Sequence, residues 1–434
     1  MVAEGYKDTE IGVIPAGWEV KTLEDICIKK GLRRGPFGGA LKKDIFVSEG
    51  YKIYEQKNAI KQDLEIGRYY ITAEKYNEME AFQVKENDFL ISCSGTIGKI
   101  VKVSSPYKEG IINQALLKLT LNDIINDNFF QFQFNSRRIQ SLIIDNTQGG
   151  AMPNLVSMSI FRNTKFVIPP LNEQEKIADI LSTTDDKINA ISIQIEKAET
   201  LKKGLLQKLL SEGIGHSEFK DSELGKIPAS WDIIPFLELA DKKVKHSFTG
   251  GPFGSDLKSE HYTDKGVRVI QLQNIGDGSF LNNDFVYTSE EKAEALKTCQ
   301  IYPNDIILAK MAEPVARACI IPNIESKYLM GSDGIRLHID KSKYDTHFIF
   351  QSINHNRFRN IAIARSTGTT RLRIGLTALK KIPIAIPPLE EQKQIAEILS
   401  TADEKLEVLR AKKEKYETLK KGLLQKLLSG EVRV

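Results

Sequence analysis

Two long stretches of this chain carry apolar side chains at alternating three- and four-residue steps, the spacing that lines one face of an α-helix. In the first, Ile177, Leu181, Thr184, Ile188, Ile191, Ile195, Ala198, Leu205 and Leu209 keep the step, with Leu201 supplying the apolar group beside Lys202. In the second, Ile395, Leu399, Ala402, Leu406, Leu409, Tyr416, Leu423 and Leu427 repeat it. Each stretch opens on Pro-Pro-Leu, at Pro169 and at Pro387, and closes on Leu-Lys-Lys-Gly-Leu-Leu-Gln-Lys-Leu-Leu-Ser, ending at Ser211 and at Ser429. The separation is 218 residues at both ends, so no residue has been gained or lost between the copies. Asn172 predicts an N-cap with Glu173 and Glu175 in the first turn, while Lys202, Lys203 and Lys208 lie toward the other end, as the helix dipole favours. A helix from Leu171 to Ser211 extends about 60 Å, more than the thickness of a domain of this size.

The doubling continues more loosely ahead of each helix. Ile14-Pro15 to Trp18 returns as Ile227-Pro228 to Trp231, Gly35-Pro36-Phe37-Gly38 as Gly251-Pro252-Phe253-Gly254, and Asn87-Asp88 as Asn304-Asp305. Each half is therefore a drifting head followed by a helix of fixed length: residues 1–168 and 169–213, then 214–386 and 387–434. Short apolar runs such as Phe89-Leu90-Ile91 and Ile306-Ile307-Leu308 predict strands, and Asn128 to Ile144 and Asp345 to Ala362 predict helices, which makes each head α/β or α+β. The first helix ends near Gly213, just before the second head, so the second helix is expected to return antiparallel as a two-helix coiled coil with a pseudo-two-fold axis. Two unrelated helices, each packed on its own head, account for the stripes but not for their equal length. Ile180, Leu206 and Leu210, with Ile398, Leu424 and Leu428, widen the stripe; they are expected either to meet helices of partner subunits or to pack on the heads.

Composition adds little beyond an ordinary globular class: 434 residues, 41% hydrophobic, 27% charged, formal net charge +4. That balance permits a nucleic-acid partner without requiring one. The four cysteines and six histidines form no metal-ligand spacing, and no apolar run approaches a membrane span; a cytoplasmic protein with reduced thiols and no metal is expected. No catalytic constellation emerges, since Gly95-Thr96-Ile97-Gly98-Lys99 is too short in its glycine spacing for a phosphate loop.

Charge placement is more telling than net charge. Lys29, Lys30, Arg33, Arg34, Lys42 and Lys43 surround Gly35 and Phe37; Lys242, Lys243, Lys245 and Lys258 surround Gly251 and Phe253. Glycines admit a close phosphate and the cations neutralise it, although a structural turn with a solvated basic flank has the same pattern. Gln56, Lys57 and Asn58 answer Gln271, Gln273 and Asn274, residue types that read base edges in a major groove or that simply end a strand. Gln148 and Asn154 answer Thr369, Arg371 and Arg373 in polar loops preceded by Arg137-Arg138 and by Arg357, Arg359 and Arg365.

The combination of Ile14-Pro15 to Trp18 and its repeat, Gly35-Pro36-Phe37-Gly38 and its repeat, Ile168-Pro169-Pro170-Leu171 with Glu173-Gln174, and the Leu201 to Leu210 run resembles the specificity (S) subunit of type I restriction-modification enzymes over essentially the whole chain. The resemblance implies that the heads are target recognition domains, each reading one half of a bipartite, asymmetric double-stranded DNA target. It implies two methyltransferase (M) subunits as partners and restriction (R) subunits recruited through them. No catalysis and no cofactor are implied here: S-adenosylmethionine, ATP and Mg belong to the partners, and the helices act as a ruler between half-sites. The competing expectation is a protein-interaction scaffold, two heads on a coiled coil that bind no DNA.

Overall fold

The computed structural model describes residues 4–145, 157–311, 313–368 and 371–434. The chain forms two compact units: 1–192 with 412–434, and 193–411. Each unit holds one head, half of the first long helix (Leu171–Glu212) and half of the second (Leu389–Ser429).

In the first unit, the strand Cys27–Arg34 is the edge of a four-stranded sheet, followed by Leu116–Leu121, Phe89–Ser92 and Ile100–Lys102, all antiparallel. A second four-stranded sheet is built around a parallel pair, Tyr51–Tyr54 with Gly110–Ile112. In the second unit, Phe248–Gly250 takes the edge position beside Gly334–Leu337, Ile306–Ala309 and Ala318–Ile320. Its parallel pair is Val267–Ile270 with Tyr328–Met330, within five strands. The predicted strands at Phe89 and Ile306 are therefore central, and all four residues of each are buried, which explains their unbroken apolar runs.

The recurring Asn-Asp pairs have a backbone cause. Asn87 and Asn304 hold φ at 69° and 67°, the left-handed region that asparagine tolerates best among residues with a side chain. The aspartates that follow are buried: Asp88 accepts from Lys85 N at 2.8 Å, and Asp305 accepts from Tyr302 N at 2.9 Å while pairing with Arg336 and His338, each at 2.7 Å.

Both long helices begin directly after the second proline, with Glu173 N and Gln174 N donating to Pro170 O and Gln392 N to Pro388 O. Asn172 thus lies inside the first turn rather than capping it. The expected stripe is the covered face: Ile177, Leu181, Thr184, Ile191 and Leu209 are buried in the first helix, as are Ile395, Leu399, Leu406, Leu409 and Leu427 in the second. Leu201 departs from the expectation. It is 61% exposed, and the seam at that level holds Lys202, ion-paired to Asp403. The matching Lys420 pairs with Asp185 at 2.5 Å.

Within each unit the two helix halves run antiparallel around a buried tryptophan. Trp18 Nε1 donates to Glu173 at the start of the first helix, 2.9 Å, and its ring lies against Gly430 at the end of the second. Trp231 Nε1 donates to Glu391 at the start of the second helix, 3.1 Å, and its ring lies against Gly213 at the end of the first. Gly213 and Gly430 hold φ at +67° and +74°, the left-handed stop that ends helices, and a Cβ at either would come within about 3.1 Å of its tryptophan.

Candidate nucleic-acid interface

Three separate stretches meet at the mouth of each head. In the first, Gly35 N donates to Leu116 O at 2.9 Å, holding the Gly35-Pro36-Phe37 loop at the end of the edge strand. A Cβ on Gly35 would stand 1.8 Å from Asn113 O. Asn113 N in turn donates to Tyr54 O at 3.0 Å, which ties the loop to the end of the Tyr51–Tyr54 strand, where the helix Gln56–Lys61 begins. In the second head Gly251 N donates to Gly334 O at 2.9 Å, a Cβ on Gly251 would stand 1.8 Å from Gly331 O, and Gly331 N donates to Ile270 O at 2.8 Å, beside Gln271. Arg373 then joins through its 2.6 Å ion pair with Asp333.

The glycines are thus required by the protein's own carbonyls. Gly35 and Gly251 approach backbone, not phosphate, so what they contribute is the position of the residue two places on. Asn58 and Asn274 are corrected likewise. Both are fully buried, and each spends its amide on main chain: Asn58 on Glu55 N, Asp63 O and Ile66 O, Asn274 on Gln271 N, Leu281 O and Asn283 O. With no donor left over, they pin a loop and read no base.

The remaining candidates keep polar surface. Lys29, Lys30, Lys42, Lys242, Lys243, Lys245, Lys258 and Arg371 are exposed. Arg33 and Arg34 are half-buried; the Arg34 guanidinium lies 5.4 Å from the centre of the Phe37 ring, and its buried Nε has no hydrogen-bond partner among the described residues. Gln56 Oε1 is likewise buried without a partner, while Lys57 is held by Glu55 at 2.6 Å. Gln271 donates to the Tyr262 hydroxyl at 3.1 Å and accepts from Gln273 at 2.7 Å, so these two amides are pre-oriented. Lys43 opens the short turn Lys43–Ile45. Gln148, Asn154 and Thr369 lie outside the described residues.

Two of the flanking arginines serve the fold. Arg138 donates to Lys165 O at 3.0 Å, and the buried Arg359 is ion-paired to Asp277 at 2.6 Å. Sequence inspection missed the turns Asn113-Gln114 and Gly331-Ser332, whose residues share no identity between copies, and Asp333, which positions Arg373.

Among the helix residues expected at partner interfaces, Leu210 and Leu428 are 5% and 9% exposed, packed in the second and first head cores respectively. The heads already cover them. Ile180 and Leu424 rest half-buried on the first core, Leu206 on the second, and Ile398 remains 39% exposed. Each unit also has an open cleft beside its helix pair. One of about 800 Å³ is lined by Lys202, Lys203, Gly204, Leu206, Asp403 and Arg410; one of about 550 Å³ is lined by Asp185, Asn189, Lys420 and Leu424.

The model of the family described as type I restriction modification DNA specificity domain matches residues 15–199 and 257–418. The chain is 30% identical to the MjaVIII type I restriction enzyme specificity subunit of Methanocaldococcus jannaschii, over 81% of this chain and 80% of that one. It is 30% identical to the chain named as the MjaX specificity subunit of the same organism, over 99% and 97%. The fold is similar to that of the S subunit of the type I restriction-modification system of M. genitalium, with a TM-score of 0.55 at 17% identity, over 94% of this chain and 96% of that one.

Proposed function

Because the chain belongs to the family of type I restriction-modification DNA specificity subunits, we propose that it is the non-catalytic reader of a bipartite DNA target, one half-site per head. The observation that carries this is the paired mouth: in both heads a pinned loop at the end of an edge strand meets a strand-end helix or turn, with basic residues on the edge strand itself in the first head and ahead of it in the second. Phosphate neutralisation falls to Lys29, Lys30, Lys42 and Arg33 in one head and to Lys242, Lys243, Lys245 and Lys258 in the other. Base reading falls to Gln56, Lys57 and Arg34 against Gln271, Gln273, Arg371 and Arg373. The two sets differ, so the half-sites differ and the whole target is asymmetric.

Two copies of one methyltransferase partner fit the doubling, because the Leu-Lys-Lys-Gly-Leu-Leu run borders a cleft in each unit. The partners supply S-adenosylmethionine chemistry on an adenine in each half-site, and restriction subunits bound through them supply ATP-driven cleavage with Mg. Withdrawing the adenine from the duplex is then the methyltransferase's task. This chain orients and selects, and the protein acts where the DNA is, in the cytoplasm.

The test is DNA retention by the complex of this chain with its methyltransferase, as a function of salt. The expected result is selective retention of a subset of sheared host DNA fragments, with log affinity falling linearly in log salt. A stable protein complex that retains no DNA would leave the scaffold alternative standing.

A further inference from the structure

The two most exposed large apolar side chains among the described residues are Phe253 at 82% and Phe37 at 73%, and they occupy the same place in the two heads. Lone exposed apolar residues are ordinary on protein surfaces. A matched pair is not, when the sequence between the landmarks has drifted. Neither ring is displayed by a loose loop: Pro36 and Pro252 are buried, and the preceding glycines are locked against Asn113 O and Gly331 O. A pinned main chain therefore holds each phenylalanine outward, at the mouth where the candidate base readers converge. Burying such a ring within the head would contribute about 1.5–3 kcal/mol to stability, which the fold leaves unused twice.

What surrounds the rings differs. Arg34 stacks beside Phe37, whereas the second head has Gly250 at the matching position and Arg373 nearby through Asp333. A feature held in both heads while its neighbours change suits a task common to both half-sites, which excludes identifying particular bases. An aromatic ring meets that requirement, since every base has a π-face.

Resting on the DNA-reading function proposed above, we infer that Phe37 and Phe253 are matched wedges, each stacking its ring on base faces at a partly opened step of its own half-site. Apolar wedges of this kind unstack and bend duplexes, and the bend brings more phosphates to the basic flanks. The wedge sets affinity and DNA shape. The polar neighbours set sequence.

The test uses the full chain in complex with its methyltransferase, and as probe the fragments of sheared host DNA that the unaltered complex retains. F37A and F253A should each weaken retention about 5- to 150-fold, the range for loss of one base–aromatic stack, with a salt slope no steeper than that of the unaltered complex, because a less bent duplex brings fewer phosphates to the basic flanks. F253W and F37W should keep retention, and their indole emission, read as the difference from the unaltered complex with and without DNA, should be quenched on DNA; Trp18 and Trp231 are fully buried in either case. Undiminished retention by F37A/F253A, or indole emission indifferent to DNA, overturns the wedge and leaves DNA reading intact. Failure of the unaltered complex to retain any fragment overturns both.

Discussion

Glu173 does structural work that its place among the charges of a long helix conceals. Its carboxylate receives the Trp18 indole N–H at 2.9 Å and a two-pronged Arg433 guanidinium at 2.5 and 2.8 Å, while Gln174 beside it bonds to Asn126 N, Ile124 O and Pro169 O. Burial alone would raise its pKa; the hydrogen bonds from Arg433 and Trp18 and the Arg433 charge outweigh burial and hold it below the ordinary 4.5. The folded state therefore favours the ionised form, so this contribution is present in full above about pH 4.5 and is lost as the pH falls through the lowered value. E173Q should destabilise the first unit by about 1–2 kcal/mol at neutral pH, the Arg433 share being discounted for its exposure. It should also flatten the acid limb of a stability–pH curve, which chemical denaturation monitored by tryptophan fluorescence would show. Trp18, Glu173 and Gln174 stood out in the sequence as landmarks, but their joint purpose did not, because the partners lie 155 residues apart. Asn58 and Asn274 misled for a related reason: a buried asparagine that caps a turn and one that reads adenine look alike until burial is known.

The long helices were the most legible elements, since a stripe sustained over eleven turns leaves few alternatives. Their lower-level detail was less so. The lysines at 202 and 420 interrupt the apolar seam with ion pairs to Asp403 and Asp185, and the adjacent Leu201 and Leu419 point outward at 61% and 50% exposure. Gly204 and Gly422 follow, mid-helix, with nothing within 4 Å of where a Cβ would stand. Glycine in a helix interior costs about 0.5–1 kcal/mol relative to alanine, and nothing among the described residues uses the space. G204A and G422A should each raise the stability of the free chain by about that amount, as an upward shift in thermal midpoint. A loss of stability would mean that the backbone at these positions departs from a regular helix. The short strands of the heads were less readable, because edge and central strands both present apolar runs of three or four residues and only the sheet order distinguishes them.

At the scale of the whole molecule, the sequence repeat foretold two heads and two helices but not the way they combine. Each compact unit borrows half of the other repeat's helix, with Trp18 and Trp231 at the places where one helix starts and the other stops. Fixed helix length beside drifting heads follows from that exchange: inserting a residue in one helix would throw an ion pair or a tryptophan junction on one side of it out of register, whereas a head changes its loops without touching the frame. On the proposed function, the heads are interchangeable readers on a shared frame, and the helices are proposed to set the gap between half-sites. Mapping adenine methylation by single-molecule sequencing, in cells that express this chain with its methyltransferase, tests that account most directly. The account predicts an asymmetric bipartite motif with a fixed gap, in which replacing residues 1–168 by another head changes one half-site and leaves the other. A contiguous motif, or a bipartite one unchanged by that replacement, would contradict it.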